Sequence, residues 1–309
     1  MSDQSQLHGV GLALSAGGAR GAYHLGCWRA FVERGLNFDG VAGSSIGALN
    51  GALVIQGDWD TAYALWQELS RTSALKPDYD KLLKFMGEVA ADVALFLMPV
   101  PNIRALKYLK YASAALNLLS ERGALGKLGR DGLWRLEEFK PQFGRFIKIK
   151  QLLAERTPLY ITAVKVPGIK DPLNVSHSFK LQDLDEETAW RLLFASMSLP
   201  LVFGLVEMDG EHYLDGGITQ WMPIGPLYEN GFRRIIAVAI KPGDAVDQED
   251  YPDAEILEIK PEKSLGRFPL ATLDFSEETL KEWMELGYGD ASRALDESSL
   301  LLQKWREAP

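Results

Sequence analysis

Short apolar runs stopped by glycine open the chain, and helical spacing follows each of them. Residues 10–15, "VGLALS", form a short apolar run of the kind that makes a buried strand. After the glycines at 17, 18 and 21, residues 22–35 place Leu25, Trp28, Phe31 and Val32 on one helical face and end at Gly35. "FDGVAG" (38–43) is a second short strand, and small and apolar residues continue as a helix from Ile46 to about Gln56. Strand, helix, strand, helix in this order predicts a parallel, right-handed βαβ unit and an α/β class.

The pattern changes between about 75 and 130. Leu82, Phe85, Met86, Val89, Val93, Phe96 and Leu97 keep helical spacing, prolines at 99 and 101 break it, and a second helix runs from about 103 to 122. Glycines then cluster at 123, 126, 129 and 132. This stretch reads as a helical cap inserted over the core. Beyond it, strands are predicted at 158–166 and 174–179, and a helix at 185–198 with acidic residues in its first turn, where the helix dipole favours them. Asp209-Gly210 marks a hairpin. Further strands fall within 232–243 and 255–261. A closing helix starts at Ser276, taken as its cap, with Glu278 and Thr279 behind. No repeat or low-complexity tract interrupts this order.

Composition narrows the class. The 309 residues are 47% hydrophobic and 24% charged, enough for a core without covalent staples. Cys27 is the single cysteine, so no internal disulfide can form and a reducing, cytoplasmic setting is expected. Cys27 lies in an apolar helical run and is expected to be buried. The formal net charge of −9 argues against nucleic-acid binding, which needs a basic footprint. The polar start, residues 1–6, carries no signal-peptide pattern, and the apolar run near 93–100 is too short to span a bilayer. A soluble protein is expected, with contact at a membrane surface left open.

Candidate chemistry begins at Gly43-Ser44-Ser45-Ile46-Gly47, which fits the nucleophile elbow Gly-x-Ser-x-Gly with Ser45 central. Such a turn presents a serine at the carboxyl end of a strand, under the positive end of the next helix. Alone, the pattern is equally a glycine-tightened turn. Upstream, Gly17, Gly18 and Ala19 join the first strand to the first helix, and their N–H groups suit an oxyanion. Dinucleotide binding is the competing reading. It fails because Ala16 stands where Gly-x-Gly-x-x-Gly needs its first glycine, and no P-loop lysine follows. A serine needs a base, and the chain has only His8, His24, His177 and His212. A Ser-Asp-His order would require His212 as base, preceded by an acid such as Asp171, Asp183 or Asp185, and a full sheet before the serine; only one strand and one helix precede the second strand. Asp215 is the alternative base, at a strand end before Gly216 and Gly217. In isolation it is an ordinary Asp-Gly turn.

Four blocks in order, "AGGARG" (16–21), "GSSIG" (43–47), "ASMSLP" (195–200) and "DGG" (215–217), resemble the patatin-like phospholipases, and the "LDF" and "ELGYGDA" tail is similar to bacterial members. The resemblance implies a three-layer fold with a mainly parallel central sheet, helices on both faces and one catalytic domain over 1–309 carrying the cap. It implies a Ser-Asp dyad, with Ser45 as nucleophile and Asp215 as base, an oxyanion hole from Gly17, Gly18 and Ala19, and Arg20 bracing that loop. The expected activity is hydrolysis of acyl esters in phospholipids or related lipids, with no metal and no cofactor. The other reading is a catalytically weak lipid-binding or interaction protein on the same fold. Two departures stand out: Ala16 replaces a glycine common in the family, and Trp221 and Met222 intervene between Gln220 and Pro223, to alter the acyl pocket or simply to pack.

In the cap, Arg104, Lys107 and Lys110 recur every third residue beside Leu106, Leu109, Leu116 and Leu119. Basic and apolar surfaces side by side suit peripheral contact with anionic membranes at the inner surface. The plainer alternative is a solvated basic face over a packed helix.

Overall fold

The computed structural model describes residues 8–72, 136–166, 176–199, 202–242, 246–267 and 270–307. The expected cap, with Arg104, Lys107 and Lys110, lies outside the described residues.

A single sheet receives strands from both sides of that gap. Its strands are β1 (His8–Leu14), β2 (Gly40–Ser44), β3 (Leu159–Lys165), β4 (Ser176–Lys180), β5 (Val206–Met208), β6 (Glu211–Asp215), β7 (Phe232–Val238) and β8 (Glu255–Ile259). The order is β5-β6-β3-β2-β1-β7-β8, with β4 also on β3. Pairs β3/β2, β2/β1, β1/β7 and β7/β8 are parallel; β4 and β6 on β3, and β5 on β6, are antiparallel. The helices are α1 (Ala22–Glu33), α2 (Ile46–Gln56), α3 (Trp59–Arg71), α4 (Lys140–Phe143), α5 (Ile149–Ala154), α6 (Glu186–Met197), α7 (Ile224–Glu229), α8 (Glu277–Glu297) and α9 (Ser299–Glu307).

The middle of the central strands, Leu12–Leu14 of β1 and Ile235–Val238 of β7, is apolar because both faces of the sheet are covered, as parallel sheets require. Leu12, Leu14, Val41, Ile236 and Val238 face a core built with α1, α2, α3, α6 and α8. The alternate residues Ala13, Ala42, Ile235 and Ala237 face a smaller core under Ile224 and Leu227 of α7. The fold is therefore a mixed α/β structure with a mainly parallel central sheet and helices on both faces. Cys27 is fully buried in the larger core.

The strand and helix boundaries fall within a few residues of the expected ones. The hairpin turns at Asp209 (φ 54°) and Gly210 (φ 77°), the positive pair that matches strand twist. Five helices were not anticipated: α3, α4, α5, α7 and α9. α3 is capped by Asp58, whose Oδ1 accepts the Thr61 N–H at 3.0 Å, and α9 follows α8. Ser276 precedes α8 but its side chain caps no helix N–H. Its hydroxyl hydrogen-bonds Thr279 Oγ1 at 2.8 Å instead, and Asp274 Oδ1 takes the Ser276 N–H at 3.1 Å.

Candidate active site

Ser45 is the one residue between the end of β2 and the start of α2. Its φ of 55° and ψ of −125° are strained for a residue with a Cβ. Contacts on three sides hold it there. Its N–H donates to Ser196 Oγ at 2.9 Å, and its carbonyl accepts the Ala48 N–H at 2.9 Å. On the third side, α2 lies directly against β1: a Cβ on Gly47 would stand 2.2 Å from the Leu14 carbonyl oxygen and 2.7 Å from that of Ser15. Ser45 itself is 6% exposed.

Asp215 ends β6, and β3 explains how it meets Ser45. Ser44 of β2 pairs with Thr162 of β3, and Asp215 pairs with Ala163, the next residue. Across Tyr160–Val164 the other edge of β3 is occupied by β4. So β2 and β6 share one edge, end to end, and their termini meet. Ser45 Oγ donates to Asp215 Oδ2 at 2.6 Å, the short distance of a hydroxyl on a carboxylate. Asp215 Oδ1 accepts the Gly217 N–H at 2.7 Å, and the Asp215 N–H donates to the Ser198 carbonyl at 3.0 Å. The end of α6 thus holds both backbones, Ser196 for Ser45 and Ser198 for Asp215. The block "ASMSLP" contains both serines, but this role was not legible from it, since the partners lie far away in the chain.

Asp215 is 4% exposed. Burial pushes its carboxyl up to about 7, against the opposing pull of hydrogen bonds from Ser45 and Gly217. Near neutral pH, then, the group exchanges protons readily and already holds the serine hydroxyl, which is what a general base needs.

Among the described residues no histidine bonds this carboxylate. The carboxylate's hydrogen bonds go to Ser45 and Gly217. His212 is exposed, pairs with Glu207 of β5, and is offset by an odd number of residues from Asp215, so it points to the other face of β6. His24 is buried: Asn50 Nδ2 lies 3.3 Å from its Nδ1 and Ser15 Oγ 3.4 Å from its Nε2. Asn50 also donates to the Gly21 carbonyl and accepts from Trp66 Nε1, which sets its amide orientation. Burial drives the His24 imidazole down to about 3, so it stays neutral.

The glycine loop leaves β1 beside Ser45 and Asp215. The Ala16 N–H donates to the Trp221 carbonyl at 2.8 Å, and the Ala16 Cβ occupies space that a side chain at Gly217 would need. The alanine therefore fits against the glycine pair after Asp215. Trp221 and Met222 pack in the smaller core. Of the three expected oxyanion donors, Ala19 is corrected: its N–H is taken by the Thr272 carbonyl at 2.9 Å. The N–H groups of Gly17 and Gly18 make no hydrogen bond among the described residues, and Gly18 has the left-handed φ of 59° that favours glycine. Arg20, buried, donates from Nε to the Gly17 carbonyl at 3.3 Å and from Nη2 to Thr272 Oγ1 at 3.0 Å.

Among the described residues no helix is long and apolar enough to cross a membrane. A family model described as patatin-like phospholipase matches residues 12–228. A lysophospholipase NTE1 of Saccharomyces cerevisiae is 28% identical over 247 residues, which are 79% of this chain and 12% of that protein. An uncharacterised NTE family protein of Mycobacterium bovis is 26% identical over 263 residues, 80% of this chain and 54% of that one. The chain thus spans only a small part of the fungal relative and about half of the mycobacterial one. VipD from Legionella pneumophila aligns in structure over 94% of this chain and 67% of its own, with a TM-score of 0.49 and 15% identity.

Proposed function

The chain belongs to the patatin-like phospholipase family, and from that premise we propose that it is a serine-dependent lipid acyl hydrolase of phospholipase A or lysophospholipase type, working through Ser45 and Asp215. The observation that carries this reading is the 2.6 Å hydrogen bond from the Ser45 hydroxyl to a buried carboxylate. Asp215 takes the hydroxyl proton on Oδ2 as Ser45 Oγ attacks the ester carbonyl carbon. The carbonyl π electrons move to its oxygen, which the N–H groups of Gly17 and Gly18 hold, with the positive end of α2 close behind Ser45. Collapse breaks the bond to the alcohol, which leaves with the proton from Asp215. Water attacks the acyl-serine, gives its proton to Asp215, and the fatty acid departs as Ser45 regains the hydrogen.

The test is fatty-acid release from a panel of phospholipids, lysophospholipids, acylglycerols and short acyl esters, with Ser45→Ala protein as the blank. Release from at least one class by wild type alone is expected. No release from any of them would favour the lipid-binding reading instead.

Two further outcomes follow from the geometry. Asp215 accepts a proton only when ionised, so kcat/KM is expected to fall about tenfold per pH unit below about 7 and to level off above it. A profile flat from pH 5 to 8 would contradict the assignment. His212→Ala is expected to stay within about threefold of wild type, because that ring lies on the wrong face of β6. Loss of several orders of magnitude would restore a histidine base.

A further inference from the structure

Thr272 touches the glycine loop three ways, from a segment outside the 12–228 family match. Its carbonyl accepts the Ala19 N–H, its Oγ1 accepts Arg20 Nη2, and its carbonyl oxygen and Cγ2 stand 2.3 and 2.6 Å from where a Cβ on Gly18 would be. The residue is 7% exposed. The segment around it is itself fixed. Phe275 stacks on Trp66 at 6.2 Å between centroids, and Asp274 Oδ2 accepts the Thr279 hydroxyl of α8 at 3.0 Å.

Peptide planarity turns these contacts into a direction. In a trans peptide the C=O and N–H point opposite ways. Arg20 Nε holds the Gly17 carbonyl, so the Gly18 N–H of the same peptide is aimed away from Arg20. Arg20 is in turn held by Thr272 Oγ1. At the next peptide, Thr272 holds the Ala19 N–H, which turns the Gly18 carbonyl away from it.

We propose that Thr272 is a positioning residue for the oxyanion loop, its hydroxyl setting the aim of the Gly18 N–H through Arg20. This rests on the hydrolase reading above. Thr272→Val removes the hydroxyl and keeps the shape and the carbonyl.

The experiment compares a short-chain acyl ester with its thionoester counterpart, whose C=S oxygen-to-sulfur change leaves a weak hydrogen-bond acceptor in the tetrahedral intermediate. Thr272→Val is expected to lower kcat on the oxygen ester about tenfold, with KM within about twofold. Turnover of the thionoester stays near wild type, so the oxygen-to-sulfur rate ratio falls about tenfold. Thr272→Ser restores the ratio. A loss equal on both esters, or no loss, overturns the proposal. Should the valine variant not fold, Thr272→Cys, of similar size and with a weak acceptor, is read the same way, and an unchanged ratio overturns the proposal. The ester pair is the short-chain form of a class that the panel shows wild type to hydrolyse; wild-type protein that hydrolyses no class of the panel, or Ser45→Ala protein that cleaves both esters equally well, removes the hydrolase reading and this proposal with it. A wild type that cleaves both through Ser45, beside a valine variant of unchanged ratio, overturns this proposal alone.

Discussion

Ser45→Ala and Asp215→Asn are each expected to lower ester turnover by about 10⁴-fold. Ser45→Ala removes the attacking oxygen. Asp215→Asn leaves a side chain of the same shape that cannot take its proton. Because the two residues act as one unit, the double variant should be little worse than either single one. Retained fold is part of the prediction. Burial holds the folded Asp215 carboxyl up at about 7, above the usual carboxylate range, so folding favours its protonated form. The stability this contributes is complete below pH about 4 and is lost as pH rises to about 7. An asparagine side chain never ionises and escapes that loss. Asp215→Asn should therefore melt above wild type at pH 8, by up to about 4 kcal/mol in stability, while the gap closes near pH 4. Thermal unfolding at the two pH values checks this. An asparagine variant less stable than wild type at pH 8 would show that the carboxylate is not the strained group described here.

Gly47→Ala is expected to destabilise the protein by roughly 3 kcal/mol and to remove most activity. The new methyl would meet two backbone carbonyl oxygens, those of Leu14 and Ser15, at 2.2 and 2.7 Å. Neither is the end of a flexible side chain, so α2 must lift away from β1. That lift moves Ser45, the residue just before the helix, off Asp215. Gly289 in α8 is the contrast. It is exposed, and nothing lies within 4 Å of its added Cβ. There alanine should raise stability by about 1 kcal/mol through helix propensity. Chemical denaturation of the two variants beside wild type tests the pair. Gly47→Ala with the stability and turnover of wild type would refute the close approach of α2 to β1.

Local signals were legible where a residue type answers a local need. Glycines at 43 and 47 marked the elbow, Asp209-Gly210 marked the hairpin, and unbroken apolar runs marked strands covered on both faces. α3 carries a local signal of the same kind, since Asp58 and Thr61 form its cap and Leu65, Trp66 and Leu69 are buried along one side. Other features depend on residues far apart in the chain. Ala19 looked like an oxyanion donor because its occupied N–H depends on Thr272, 253 positions later. Ser196 and Ser198 sat inside a recognised block, yet their bonds to the Ser45 and Asp215 backbones exist only because α6 ends where β2 and β6 share an edge of β3. Asp215 in isolation reads as a turn residue; the family resemblance marks it as the base, and the shared edge of β3 is what brings it against the elbow. A hydropathy pattern carries no record of which strand termini meet.

Direct activation of Ser45 by Asp215 is the central proposal. Intact-protein mass spectrometry after treatment with a fluorophosphonate, which traps activated serines, tests it most directly. The account predicts one adduct per chain, on the peptide containing Ser45. Labelling should speed up as pH rises through about 7 and be slower by about 10³-fold or more in Asp215→Asn. An adduct on another residue, or Asp215→Asn protein labelled at the wild-type rate, would contradict it.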